Sequence, residues 1–118
     1  MKNLFVEYPK CTTCKKAAKW LNDHGVEFED RHIVEDNPDV EELKKWHEKS
    51  GLPLKRFFNT SGQLYRQQCL KDKLPTMSEE EQYALLATNG MLVKRPILVG
   101  EDFVLVGFKE KDYEEKLL

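Results

Sequence analysis

Apolar and polar positions along the chain repeat with two different periods, and the switches between them divide it into elements. Leu4-Phe5-Val6, flanked by polar residues, reads as a short buried strand from Asn3 to Tyr8 that Pro9 stops. Cys14, Ala17, Ala18 and Leu21 then recur at spacings of three and four, with Trp20 beside them and Gly25 beyond. That spacing predicts an amphipathic helix beginning near Cys11. Val26 to Val34 alternates loosely through Val26, Phe28 and Ile33 and predicts a second strand. Strand, helix and strand make a βαβ unit, whose crossover is expected to be right-handed.

Helical periodicity then returns. A helix is predicted from about Pro38 to Ser50, with Val40, Leu43 and Trp46 on its inner face and Gly51 as its stop. Leu52 to Gly62 has no clear period. Leu64, Tyr65, Gln68 and Cys69 predict a short helix over Leu64 to Leu70, closed by Leu74-Pro75. Ser78 and Glu81 form a capping box ahead of Tyr83, Leu85, Leu86 and Gly90, the best-marked helix start in the chain. After Arg95-Pro96, the runs Ile97 to Val99 and Phe103 to Val106 flank Gly100-Glu101-Asp102, which reads as a three-residue hairpin loop. The last eleven residues are charged, with Tyr113 and Leu117 four apart, and predict a terminal helix laid on the sheet. The order is βαβ, a helical insertion over about residues 36–90, then ββα, all within one α/β domain spanning residues 1–118.

Composition narrows the function classes. The chain has 118 residues, 40% hydrophobic and 34% charged, enough apolar surface for one core and too polar for a membrane protein. Its apolar runs fall far short of the roughly 20 residues that cross a bilayer. Met1 to Tyr8 lacks the features of a secretory signal, so a cytoplasmic location is expected. With a net charge of −2 and both signs interspersed, no sustained basic face presents itself, and direct binding of nucleic acid is not expected.

Three cysteines, an odd number without an export signal, argue against a framework of structural disulfides. Two of them stand in Cys11-Thr12-Thr13-Cys14, at the predicted start of the first helix. A thiol attacks as its thiolate, and a helix N-terminus favours that anion through free N–H groups and the positive end of the dipole. Cys11 takes the exposed position and Cys14 the apolar stripe, so Cys11 is read as nucleophile and Cys14 as resolving thiol. Lys10, Lys15 and Lys16 add positive potential nearby. Two blander readings compete: a zinc half-site, or two inert cysteines. Zinc needs four ligands, and Cys69, His24, His32 and His47 are not paired at ligand spacing, so no metal is expected. The context of strand, turn, CxxC, helix and strand favours redox chemistry over inert thiols. Cys69 and the three histidines are given ordinary structural roles.

The run Tyr8-Pro9-Lys10-Cys11-Thr12-Thr13-Cys14-Lys15-Lys16-Ala17, with Val93-Lys94-Arg95-Pro96-Ile97 and Val106-Gly107-Phe108 later, resembles the arsenate reductase family, including its Spx-like branch. The resemblance covers essentially the whole chain. It implies a thioredoxin-like fold with a four-stranded mixed sheet, a redox-active Cys11, and a cis-proline at Pro96 facing it. Thr12, Thr13, Asn59, Arg95 and Pro96 become the candidate substrate contacts. Glutaredoxin-coupled members hold their oxyanion with three arginines; Arg95 matches one, whereas Asn59 and Gly107 stand at the other two places. Two missing guanidiniums predict poor arsenate reduction. The resemblance also implies no bound cofactor, glutathione as a co-substrate, and a small thiol or a glutaredoxin- or thioredoxin-type protein as partner. An arginine that some glutathione-dependent relatives carry in the insertion is Ser61 here. The alternative is a redox-switched transcription regulator that binds RNA polymerase, as in the Spx-like branch.

Overall fold

The computed structural model of the chain describes residues 3–118. Strand β1 (Asn3–Glu7) runs into a tight turn in which the Cys11 N–H donates to the Tyr8 carbonyl at 2.9 Å. Pro9 fits this turn because its ring presets φ at the second position. Helix α1 (Thr12–Asp23) follows and unwinds at Gly25, whose φ of 68° is left-handed; the Val26 N–H then reaches back to the Leu21 carbonyl at 2.9 Å. Strand β2 (Phe28–His32) lies parallel to β1. It is shorter than the Val26 to Val34 expectation, because Val26 belongs to the helix terminator.

Four helices make up the insertion: α2 (Val40–Ser50), α3 (Gln63–Gln67), α4 (Leu70–Lys73) and α5 (Glu79–Leu86). Strands β3 (Ile97–Val99) and β4 (Val104–Val106) and helix α6 (Glu110–Leu117) complete the chain. The sheet order is β2-β1-β3-β4, with β1/β2 parallel and β1/β3 and β3/β4 antiparallel. This is the four-stranded mixed sheet of a thioredoxin-like α/β fold.

Alternation along the strands sorts the side chains into two cores. Phe5 and Leu98 face α1 and α6, where they pack with Ala17, Leu21 and Tyr113. Val6 and Ile97, one position along, face the insertion and meet Leu43, Phe57, Phe58, Leu86 and Val93. The sheet is therefore the middle of three layers. Arg31 of β2 ties one edge to α2: its guanidinium grips both Glu42 carboxylate oxygens at 2.6 and 2.9 Å and lies 5.8 Å over the Trp46 ring.

Four local expectations are corrected. The helix predicted over Leu64 to Leu70 is two short pieces, broken where Cys69 adopts a left-handed φ of 53°, so Cys69 is an exposed break residue and not a mid-helix one. Helix α2 begins at Val40 under an Asp39/Glu42 capping box. The hairpin loop includes Phe103, since the Gly100 N–H donates to the Phe103 carbonyl at 2.9 Å and β4 starts at Val104. Helix α5 starts at the Ser78/Glu81 box but ends at Leu86; Gly90 opens a separate turn instead of terminating it.

Candidate active site

The turn that ends β1 sets Cys11 as N-cap of α1, in extended conformation (φ −85°, ψ 123°), with no side-chain hydrogen bond capping the helix. The sulfur therefore sits where the first N–H groups of the helix are free. Cys14, three residues on, lies on the inner face and is 1% exposed. Thr12 and Thr13 complete the first turn and are exposed. Both thiols are free.

The opposite wall of the site comes from the segment before β3. Arg95-Pro96 is cis, and Pro96 is buried. Two backbone hydrogen bonds fix this segment to the insertion: the Lys94 N–H donates to the Phe57 carbonyl and the Asn59 N–H to the Leu92 carbonyl, both at 2.8 Å, and together they form an antiparallel bridge between Phe58 and Val93. Arg95 is thereby held with its guanidinium 5.2 Å over the Tyr8 ring. Its charge reaches the Cys11 sulfur. Cys11, Cys14 and Arg95 are thus brought together. Asn59 lies on the neighbouring strap, half-buried, its side chain receiving a hydrogen bond from the Ser61 hydroxyl at 3.4 Å.

The two thiols have been driven apart in acidity. Burial works to raise Cys11, but the backbone N–H and the thiol of Cys14, the N–H of Thr13 and the charge of Arg95 outweigh it, and Cys11 lies below the ordinary thiol value. Cys14 is pushed up to about 12, chiefly by burial; the Tyr8 backbone opposes this, and Cys11 and Glu7 add to it. Of the two thiols, Cys11 is therefore the one that ionises more readily.

Tyr8, Glu7 and Lys94 escaped the sequence reading. Glu7 shares its face of β1 with Phe5, hence with α1, and this alternation was the available signal. Its carboxyl is raised from 4.5 to about 7 by burial and by the Asp30 carboxyl on β2. The folded chain therefore holds this proton more tightly than the unfolded chain, and stability falls as pH rises from about 4.5 through about 7. Glu7→Gln removes that slope. Because Glu7 is partly open to solvent, the variant is expected to gain about 1 kcal/mol over the parent at alkaline relative to acidic pH. Urea unfolding of both proteins at the two pH values measures it, and a pH-independent difference would show that Glu7 ionises normally.

The histidines are used structurally. The His24 ring stacks on Trp20 at 4.0 Å, His32 accepts the Val34 and Glu35 N–H groups, and His47 Nδ1 meets the Tyr83 hydroxyl at 2.6 Å. Among the described residues no three His, Cys, Asp or Glu side chains are grouped to hold a metal ion. No helix among them is long and apolar enough to cross a membrane.

Against known proteins, the model of the ArsC family matches residues 6–116, almost the whole chain. The chain belongs to the ArsC family. Within it, the chain is 58% identical over 111 residues to the uncharacterized protein YusI of Bacillus subtilis, covering 94% of each. It is 32% identical over 104 residues to the regulatory protein MgsR of the same organism, covering 88% of this chain and 81% of MgsR. A crystal structure of an ArsC family related protein from Bacteroides fragilis superposes with a TM-score of 0.95 at 62% identity, over 98% of this chain and 97% of that one. ArsC family membership thus accounts for the insertion as well as the sheet.

Proposed function

We propose that the chain is a thiol–disulfide redox protein in which Cys11 is the nucleophile and Cys14, or an external thiol, resolves the product. The observation that carries this reading is the split between the two sulfurs: one at a helix N-terminus beside Arg95 with its acidity raised, the other buried and held protonated. In the reaction, the Cys11 thiolate attacks one sulfur of a substrate disulfide and expels the other as thiolate. Cys14 loses its proton and attacks Cys11, releasing the second substrate thiol and leaving Cys11–Cys14 oxidised. A thiol of the glutathione, glutaredoxin or thioredoxin kind then reduces that bond. Arsenate turnover is slow on this reading, because only Arg95 of the three family arginines is in place.

Alkylation at mildly acidic pH, read by mass spectrometry, tests the assignment. Cys11 is expected to be labelled first and Cys14 last. Faster labelling of Cys14 or Cys69 overturns the roles.

A second reading is favoured by the match to MgsR, a regulatory protein, over 88% of this chain. In it the same cysteine pair is a switch, and the partner is RNA polymerase. Pull-down with RNA polymerase under reducing and oxidising conditions separates the two: redox-dependent retention supports the regulator, and none at either condition removes it.

A further inference from the structure

The insertion carries an open cleft of about 280 Å³ that the thiol chemistry above does not use. Leu54, Tyr65 and Leu74 make its floor, each more than nine-tenths buried. They converge because the chain here is cut into short pieces. A single 3-10 turn over Leu54–Phe57 is followed by α3 and α4, which the left-handed Cys69 keeps from joining into one rod. Lys55 and Lys71 stand exposed on the rim, with Glu79 as the one acidic lining residue.

A second cleft, of about 350 Å³, shares Lys55 with the first and adds Arg56, Lys94 and the buried ring of Phe58. The two clefts are therefore neighbours across one lysine. Four cations and one carboxylate line the pair. Among the described residues none of these four cations enters an ion pair, whereas Lys19, Arg31 and Lys44 all do. In a chain of net charge −2, this face holds a local excess of positive charge above apolar floors.

Charge and shape together select the occupant. A small ligand fills one cleft and leaves its neighbour open. A nucleic acid strand asks for a continuous basic track and exposed aromatic faces, but Tyr65 and Phe58 are buried in the floors and Glu79 interrupts the cations. Adjacent apolar recesses with a cationic rim suit a protein segment that places an apolar side chain in each and carboxylates over the lysine between them.

We propose that this face of the insertion docks an acidic segment of a partner protein through two apolar side chains, one in each cleft, with carboxylates over Lys55, Arg56 and Lys71. Docking here is independent of the roles given to Cys11 and Cys14. The apolar anchors supply most of the affinity, and the rim charges supply orientation and a dependence on salt.

Titration of the full chain with defined peptides, followed by amide resonances in NMR, tests it. The probes are acetyl-leucine-(glutamate)n-leucine amides with one to four glutamates, the same peptides with glutamine for glutamate, and acetyl-glutamate-leucine amide with its single anchor. At one spacing or more, the resonances of Leu54 to Phe58 and of Lys71 to Leu74 are expected to shift together and to saturate. The exposed-charge variant Lys55→Gln/Lys71→Gln is expected to bind that peptide about fivefold more weakly, and the glutamine peptide is expected to bind the parent more weakly by a similar factor. The control Lys111→Gln/Lys116→Gln, which removes the same charge from α6 on the opposite layer, should bind as the parent does. No shift at any spacing overturns the proposal, as does equal binding of the glutamate and glutamine peptides or equal weakening in the control. Binding of the single-leucine peptide as tight as that of the best two-leucine one would make this a small-ligand site and overturn docking of a segment. Tighter binding of a short oligothymidylate at the same resonances would reassign the face to nucleic acid and likewise overturn it.

Discussion

Replacing Cys11 with serine is expected to lower thiol–disulfide exchange by roughly 10³-fold or more, because the nucleophile is lost outright. Replacing Cys14 gives a different result. The Cys14→Ser variant keeps an attacking thiolate at the helix N-terminus but has no internal sulfur to release the product, so mixed disulfides should accumulate at Cys11. In the parent, mild oxidation should close Cys11 to Cys14, which stand at the N-cap and the third position of one helical turn. Intact-mass and peptide mapping distinguish the products. A dominant Cys11–Cys69 bridge would be inconsistent with the pairing, and with a Cys69 that stands exposed at the break between α3 and α4. Undiminished exchange in Cys11→Ser would transfer the chemistry to another thiol.

The second large effect is on stability. Gly90→Ala is expected to destabilise the chain by about 3 kcal/mol, since the added methyl has nowhere to go. A Cβ at this position would stand 1.9 Å from the carbonyl oxygen of Ile33, and both residues are buried. The neighbour is backbone at the exit of β2, so it cannot rotate away as a flexible side chain would. The insertion must lift from the sheet or the chain from Ile33 to Val34 must shift. A thermal midpoint lowered by more than about 10 °C is the expected reading. An unchanged midpoint would mean that the contact between these two segments is loose. Gly25→Ala is the comparison: its Cβ meets nothing within 4 Å, and the cost there is confined to the left-handed φ.

These contrasts show which parts of the fold a sequence discloses. Local signals did well: the Ser78/Glu81 box marked the start of α5, the three-four spacing of Cys14, Ala17 and Leu21 marked α1, and Pro9 marked the turn that precedes it. What failed was decided across distance. Gly90 looks like a helix stop because glycine commonly is one, yet its smallness is required by a carbonyl that lies 57 positions away in the chain. Cys69 carries no glycine or asparagine signature, so nothing announced its left-handed conformation. At the site, Cys11, Cys14, Arg95 and Pro96 could be picked out because they sit in two short motifs. Glu7, Tyr8 and Lys94 could not, because their importance lies in what another element brings against them: Asp30 beside Glu7, Arg95 over Tyr8, and Lys55 and Arg56 beside Lys94.

The links that hold Arg95 opposite Cys11 run from main chain to main chain, Lys94 to Phe57 and Asn59 to Leu92. Such bonds are indifferent to side-chain identity. Positions 59, 61 and 94 can therefore exchange arginine, asparagine, serine or lysine while the wall of the site stays where it is. Gly107 is the exception, because its φ of 81° resists a side chain. The scaffold thus separates the placing of its charges from the choice of them, and drift among substrates is open to it one residue at a time without loss of the frame.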